Sequence, residues 1–175
     1  MQSTDKELVL SSTEIHDRIQ ELGKEIANDY QGKDLVVIGV LKGAFVFMAD
    51  LVRAIPIPLS TDFIQVSSYG SGSSSSGEIT LVASPAQAIR EHHILLVEDI
   101  VDTGLTMHWL KQHFEKEGAA SVRICSLIDK SERREHSITI DYPGFPISEG
   151  FLIGYGLDYD EKYRNLPAIY HLNLS

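Results

Sequence analysis

With 175 residues, 43% of them hydrophobic and 23% charged, the chain is expected to form one soluble globular domain, 1–175. Fifteen lysines and arginines face 25 aspartates and glutamates, a net charge of −10 that disfavours a nucleic-acid partner; the one basic cluster, Glu132-Arg133-Arg134-Glu135, reads as neutralised by its own flanking acids. A single cysteine, Cys125, excludes an intrachain disulfide framework and suits a reducing cytoplasm, and every apolar run falls far short of the ~20 residues of a membrane span.

The polar start, 1–6, is expected to lead straight into a helix, with no signal peptide in view. Ser11 and Glu14 have capping-box spacing, and Ile15, Ile19, Leu22 and Ile26 fall on one face, so the spacing predicts an amphipathic helix over 13–30. Gln31-Gly32-Lys33-Asp34 breaks it. Residues 35–41 are nearly all apolar, the pattern of a strand covered on both faces. Lys42 follows, either a solvated turn cation or an anion ligand. After Gly43 a helical run covers 44–55, closed by Pro56 and Pro58, and a strand is expected over 59–67. Residues 67–77, Ser-Ser-Tyr-Gly-Ser-Gly-Ser-Ser-Ser-Ser-Gly, form the one low-complexity segment. Too little chain precedes it for an interdomain linker, and strand character resumes over 79–83. It therefore reads as a mobile hairpin loop of the kind that serves as a lid.

The segment 94–107, Ile-Leu-Leu-Val-Glu-Asp-Ile-Val-Asp-Thr-Gly-Leu-Thr-Met, is the most informative. An apolar strand ends in two carboxylates, Glu98 and Asp99; Asp102 precedes a Thr-Gly-Leu-Thr turn, and an amphipathic helix follows. Backbone N–H groups and the positive end of a helix dipole make such a turn a phosphate cradle. Acids beside a phosphate repel it unless they handle a metal ion, sugar hydroxyls or a proton, so the segment suggests a phosphorylated sugar bound with a divalent cation. An acid-rich N-cap on a surface helix accounts for Asp102 and Thr103 but leaves Glu98 and Asp99 unexplained. Gly118 ends this helix and a strand is expected over 121–128, with Cys125 as a small core residue. It exits into Asp129-Lys130, where Lys130 is either a surface charge or a ligand. Short strands are expected near 137–140, 151–155 and 168–172. The alternation predicts an α/β fold, a mostly parallel central sheet flanked by helices, with ligands at the carboxyl ends of the strands.

Other motifs fail on detail. Asp158-x-Asp160 suggests a calcium loop, but Tyr163 stands where Gly is needed and Ile169 where Glu is needed. Gly154-x-Gly156 lacks the third glycine of a dinucleotide fingerprint, and none of the seven histidines has zinc-protease spacing.

Two acids, two apolar residues and Asp-Thr-Gly-x-Thr after an apolar strand closely resemble the signature of the type I phosphoribosyltransferases. The resemblance runs from about 35 to 172 and is weakest in the Ser-rich loop. It implies binding of 5-phosphoribosyl-1-pyrophosphate with Mg²⁺. Lys42 and Gly43 would meet pyrophosphate, in a loop that often carries a non-proline cis peptide. Glu98 and Asp99 would meet the ribose hydroxyls directly or through Mg²⁺. Thr103, Gly104, Leu105 and Thr106 would hold the 5′-phosphate; some members carry Lys where this chain has Leu105, so neutral donors must do the work. Asp102 would act near the reacting base.

Members that salvage 6-oxopurines carry a Lys twenty-eight residues beyond the catalytic Asp, and Lys130 is twenty-eight beyond Asp102. By the same resemblance Phe151 would stack on the base, Leu152 would read its edge through backbone, Asp158 would ligate Mg²⁺ and Arg164 would contact pyrophosphate, within a hood segment of about 130–175. Ser68-Tyr69 matches the family's lid dipeptide. The implied reaction joins hypoxanthine or guanine to the sugar, giving IMP or GMP and pyrophosphate, in a homodimer or homotetramer. Alternatives on this fold are a relative using xanthine, adenine or a pyrimidine, and a nucleotide-sensing RNA-binding regulator. A Lys donor suits a 6-oxo group better than a 6-amino group, and the acidic balance opposes RNA.

Overall fold

The computed structural model describes residues 6–69 and 78–173. In chain order the elements are β1 (Lys6–Leu10), α1 (Ser12–Tyr30), β2 (Leu35–Leu41), α2 (Phe45–Ala54), β3 (Ser60–Tyr69), β4 (Glu78–Ala83), β5 (His93–Val101), α3 (Leu105–Lys116), β6 (Ser121–Asp129), a 3₁₀ turn (Ser131–Arg133), β7 (Tyr142–Pro146), β8 (Leu152–Ile153) and β9 (Ile169–Leu172). The main sheet has the order β4-β3-β2-β5-β6-β7. All its pairings are parallel except β3 with β4, so the expected parallel-rich sheet is present.

The both-face burial read for β2, and found in β5 as well, has a simple physical basis. Successive side chains alternate across the pleat, and each face meets helices. Val37, Leu95 and Val97 point with Ile15, Ile19, Leu22, Phe47 and Leu51 into the core under α1 and α2. Val36, Ile38, Ile94 and Leu96 meet Met107, Leu110 and Phe114 of α3 on the other side. Each fully buried side chain of this size contributes about 1.5–3 kcal/mol. Helix α1 begins as read: Ser11 Oγ accepts from Glu14 N at 3.2 Å and Glu14 Oε2 accepts from Ser11 N at 2.8 Å. Cys125 is fully buried, and burial pushes its thiol up, as befits a core residue.

Two expectations fail. The chain does not run straight into α1, because β1 comes first and pairs with β9, Lys6 opposite Leu172. With β8 it builds a second antiparallel sheet of three strands, β1-β9-β8. Residues 137–140 form no strand. Ile138 and Ile140 pack on the α3-side core, which produces the alternation, while pairing with β6 begins only at Tyr142 opposite Cys125. Just before it, the Asp141 carboxylate takes the Ile124 N–H at 2.9 Å. β3 and β4 pair antiparallel up to Tyr69 opposite Glu78, a hairpin as expected. The Ser-rich loop between them, and with it the lid reading, lies outside the described residues.

Candidate active site

The carboxyl ends of β2, β5 and β6 open on the same side, and three loops nest there with glycine at each contact. The Leu41–Lys42 peptide is cis. A methyl group on Gly43 would fall 1.9 Å from Asp99 Oδ2, and one on Gly156, at φ +99°, would fall 2.2 Å from the Gly43 carbonyl oxygen. Only residues without a side chain allow so close an approach. The Lys42-Gly43 loop thus lies directly on the acid pair of β5, and the 154–156 turn lies on that loop.

Asp99 is buried and Glu98 half-buried. Asp99 Oδ1 accepts from Ile100 N at 2.8 Å, and Glu98 Oε1 accepts from Asp99 N at 3.1 Å. Burial and then the neighbouring Asp99 charge hold the Glu98 carboxyl well above the usual carboxylate range. Two acids this close at the end of an apolar strand call for positive charge. Among the described residues no three His, Cys, Asp or Glu side chains form a self-contained metal cage. That donor set fits Mg²⁺, which binds through one or two carboxylates, waters and substrate phosphates rather than a protein cage.

Past Val101 the chain turns into α3 through Gly104, which caps the helix at φ +84°. Thr103 Oγ1 accepts from Leu105 N at 3.4 Å, and no acid occupies the first turn of α3. A small cavity of about 130 Å³ is lined by Glu98, Ile100–Met107 and the free helix start, the right character for a phosphate. From behind, Glu135 and His136 donate their N–H groups to the Thr103 carbonyl at 2.9 and 3.0 Å, holding the turn in place.

Beside this cradle lies a larger cleft of about 540 Å³, lined by Asp99, Ile100, Asp102, Lys130, Arg133, Ser148, Gly150, Phe151, Leu152, Leu157 and Asp158. Asp102 and Ile100 belong to the walls of both cavities. Lys130 is buried and donates to the Gly150 carbonyl at 2.8 Å, which leaves two of its three donors for other acceptors. Phe151 is 43% exposed, edge-on to Tyr159 with ring centres 5.6 Å apart, so a flat apolar face remains open. Leu152 is buried in β8, opposite His171.

Asp158 and Arg164 form an ion pair at 3.1 Å, and Arg164 also donates to the Gly156 carbonyl at 2.8 Å. Arg164 Nε is buried without a partner. Ser68 and Tyr69 end β3 at the mouth of the hairpin.

Three residues of this region were not singled out from the sequence. Glu161 bridges Lys42 and Arg164, at 3.0 and 3.5 Å. Arg133 Nη1 sits 3.2 Å from Asp102 Oδ2, and Arg134 pairs with Asp129. The two arginines read as neutralised by Glu132 and Glu135 are therefore paired with acids from other strands' ends. The available signal was proximity in sequence, to Lys130 for the two arginines and to Asp158 and Arg164 for Glu161.

The parallel sheet, the acid-bearing strand exit and the free helix start define an α/β protein whose turn before α3 has the geometry for an anion. A family model described as a phosphoribosyl transferase domain matches residues 10–160. The chain is 44% identical over 170 residues to the hypoxanthine-guanine phosphoribosyltransferase of Mycobacterium bovis, covering 94% of this chain and 84% of that one. It is 45% identical over 164 residues to the enzyme of that name from Streptococcus pneumoniae, covering 94% and 91%. Among solved structures, a hypoxanthine phosphoribosyltransferase from Staphylococcus aureus superposes with a TM-score of 0.93 at 41% identity, covering 95% of this chain and 91% of that one. The Trypanosoma cruzi hypoxanthine phosphoribosyltransferase gives a TM-score of 0.92 at 40% identity, covering 99% and 94%. The chain belongs to the phosphoribosyl transferase family.

Proposed function

We propose that this chain transfers the 5-phosphoribosyl group of 5-phosphoribosyl-1-pyrophosphate to N9 of hypoxanthine or guanine, giving IMP or GMP and pyrophosphate in purine salvage. The observation that carries the reading is Asp102. It stands on the wall shared by the phosphate cradle and the aromatic-lined cleft, and its Oδ1 is buried without a hydrogen-bond partner. A ribose 5-phosphate seated in the cradle would put its C1′ toward the wall the two cavities share, beside the Asp102 carboxylate.

In this reading Thr103, Gly104, Leu105 and Thr106 bind the 5′-phosphate through hydroxyls and backbone N–H groups. Lys42, Gly43 and Arg164 meet the leaving pyrophosphate and stabilise its growing negative charge. Glu98, Asp99 and Asp158 hold Mg²⁺, whose chemistry when bound is to neutralise the diphosphate and orient it. Phe151 stacks on the base, the backbone at Leu152 reads its edge, and Lys130 donates to its 6-oxo group. Asp102 takes the proton from N7 as N9 bonds to C1′.

The segment 67–77, with Ser68 and Tyr69, would cover the site and exclude water, since hydrolysis of the activated sugar competes with transfer. We place the chain in the cytoplasm as a single domain with a hood over 130–175, assembled as a homodimer or homotetramer. The free, buried Cys125 supports the cytoplasmic placement, since a reducing compartment keeps a thiol unpaired. A panel of free bases with the sugar pyrophosphate and Mg²⁺, followed by pyrophosphate release, tests the proposal; release with adenine alone, or with no base of the panel, overturns it.

A further inference from the structure

We propose that Arg133 is a positioning residue for Asp102, holding the carboxylate by its accessible oxygen so that this oxygen faces the cleft and can receive the purine's proton. The inference rests on the reading of Asp102 as proton acceptor. The two oxygens of Asp102 differ sharply. Oδ2, on the exposed side of the carboxylate, lies 3.2 Å from Arg133 Nη1, whereas Oδ1 is turned inward, buried and without a partner. A carboxylate on a terminal sp³–sp² bond rotates in a broad, roughly two-fold well, so nothing intrinsic to Asp102 chooses which oxygen faces the base. A cation fixed on one side makes that choice.

The guanidinium's place is set by the backbone. Lys130 N donates to the Val101 carbonyl at 2.9 Å, and Glu135 and His136 N–H groups reach Thr103, so the 3₁₀ turn is fastened on both sides of Asp102. Two consecutive arginines then divide the task. Arg134 donates from Nε to the Asp102 carbonyl at 3.2 Å and pairs with Asp129, holding the main chain. Arg133 holds the side chain. Arg133 is 62% exposed, so its ion pair is solvent-screened and adds little to folding; its value is directional. It also lines the base cleft, where an unbound purine leaves Asp102 with no other partner.

The test is steady-state kinetics with both substrates on the full chain carrying Arg133→Gln, Arg133→Lys, Asp102→Asn and the double change Asp102→Asn/Arg133→Gln, with thermal midpoints measured in parallel. Arg133→Gln should lower kcat roughly ten-fold, part of the ~10²–10⁴ that a placed base supplies. KM for the sugar pyrophosphate should stay within about two-fold. Arg133→Lys should recover most of the rate, and Arg133→Gln should cost nothing further in the Asp102→Asn background. An unchanged kcat in Arg133→Gln, a Lys variant as slow as the Gln variant, or an equal loss in the Asp102→Asn background overturns the proposal. If Asp102→Asn itself keeps full kcat, the proton-acceptor reading fails instead and removes the inference with it, a result recognisable from that variant alone.

Discussion

Lys42 Nζ lies 3.0 Å from Glu161 Oε2, and the other Glu161 oxygen is 3.5 Å from Arg164 Nη2. One carboxylate therefore occupies the two cations proposed to receive pyrophosphate, and Lys42 in turn lowers the Glu161 carboxyl below its usual range. Diphosphate entering that place must displace it. Glu161→Gln is expected to lower KM for the sugar pyrophosphate and tighten product inhibition by pyrophosphate, each about two- to five-fold, the range of an exposed ion pair. Inhibition constants for pyrophosphate check this; weaker inhibition in the variant contradicts it.

Asp102→Asn should cut kcat by about 10²–10⁴ while leaving affinity for the sugar pyrophosphate nearly unchanged, because the amide keeps the shape and loses the proton acceptor. Pre-steady-state transfer, with binding measured separately, distinguishes the two effects. Weakened binding at normal kcat would assign Asp102 to the sugar alone.

Lys130→Met should raise KM for hypoxanthine and guanine and spare the sugar pyrophosphate, since Lys130 lines the base cleft and not the phosphate cavity. Losing a charged hydrogen-bond donor is worth about 1.5–3 kcal/mol, or roughly ten- to a hundred-fold. The opposite pattern of KM values removes the base-recognition role.

Gly43→Ala is a test of the nested loops. The added methyl would land on Asp99 Oδ2, 1.9 Å away, so the loop or the acid must move. Overpacking of this kind costs about 1–3 kcal/mol. Expected are a lower thermal midpoint and a raised KM for the sugar pyrophosphate; a neutral substitution would show that the contact yields freely.

Asp29 anchors the far end of the sheet. Tyr142 Oη donates to it at 2.6 Å and Arg123 Nη1 at 2.7 Å. The Tyr142 bond, ahead of Arg123, depresses its carboxyl below the usual range against a smaller opposing effect of burial. A depressed carboxyl binds its proton less readily folded than unfolded. Its contribution is therefore present above the unfolded value of about 3.9 and is lost as pH falls through the folded one. The gap in thermal midpoint between the natural chain and Asp29→Asn should be visible at neutral pH and close below about pH 4. A gap that widens on acidification refutes the assignment.

What the sequence revealed was local. The two-sided strand at 35–41, the apolar strand that ends in Glu98 and Asp99, the capping box at Ser11 and the turn at Gly104 depend on neighbours a few residues away, and each could be read. So could the placing of Lys42, Asp99, Asp102 and Lys130 at neighbouring strand exits, which follows once the strands are parallel; Asp158, beyond the antiparallel β8, was legible only through the family resemblance. The unread features all depend on distant partners. β1 exists because its partner lies at the other end of the chain. The 137–140 alternation serves packing rather than pairing. Arg133 and Glu161 look like ordinary surface charges until the fold sets Asp102 and Lys42 beside them.

The pairing of Lys6 with Leu172 joins first and last strands in one small sheet, and the same sheet carries Leu152, one residue after the aromatic of the base cleft. Paired residues of this kind stand about 5 Å apart, close enough for a short peptide to splice them. The fit of Lys6–Leu10 against β9 therefore bears, through β8, on where Phe151 is held.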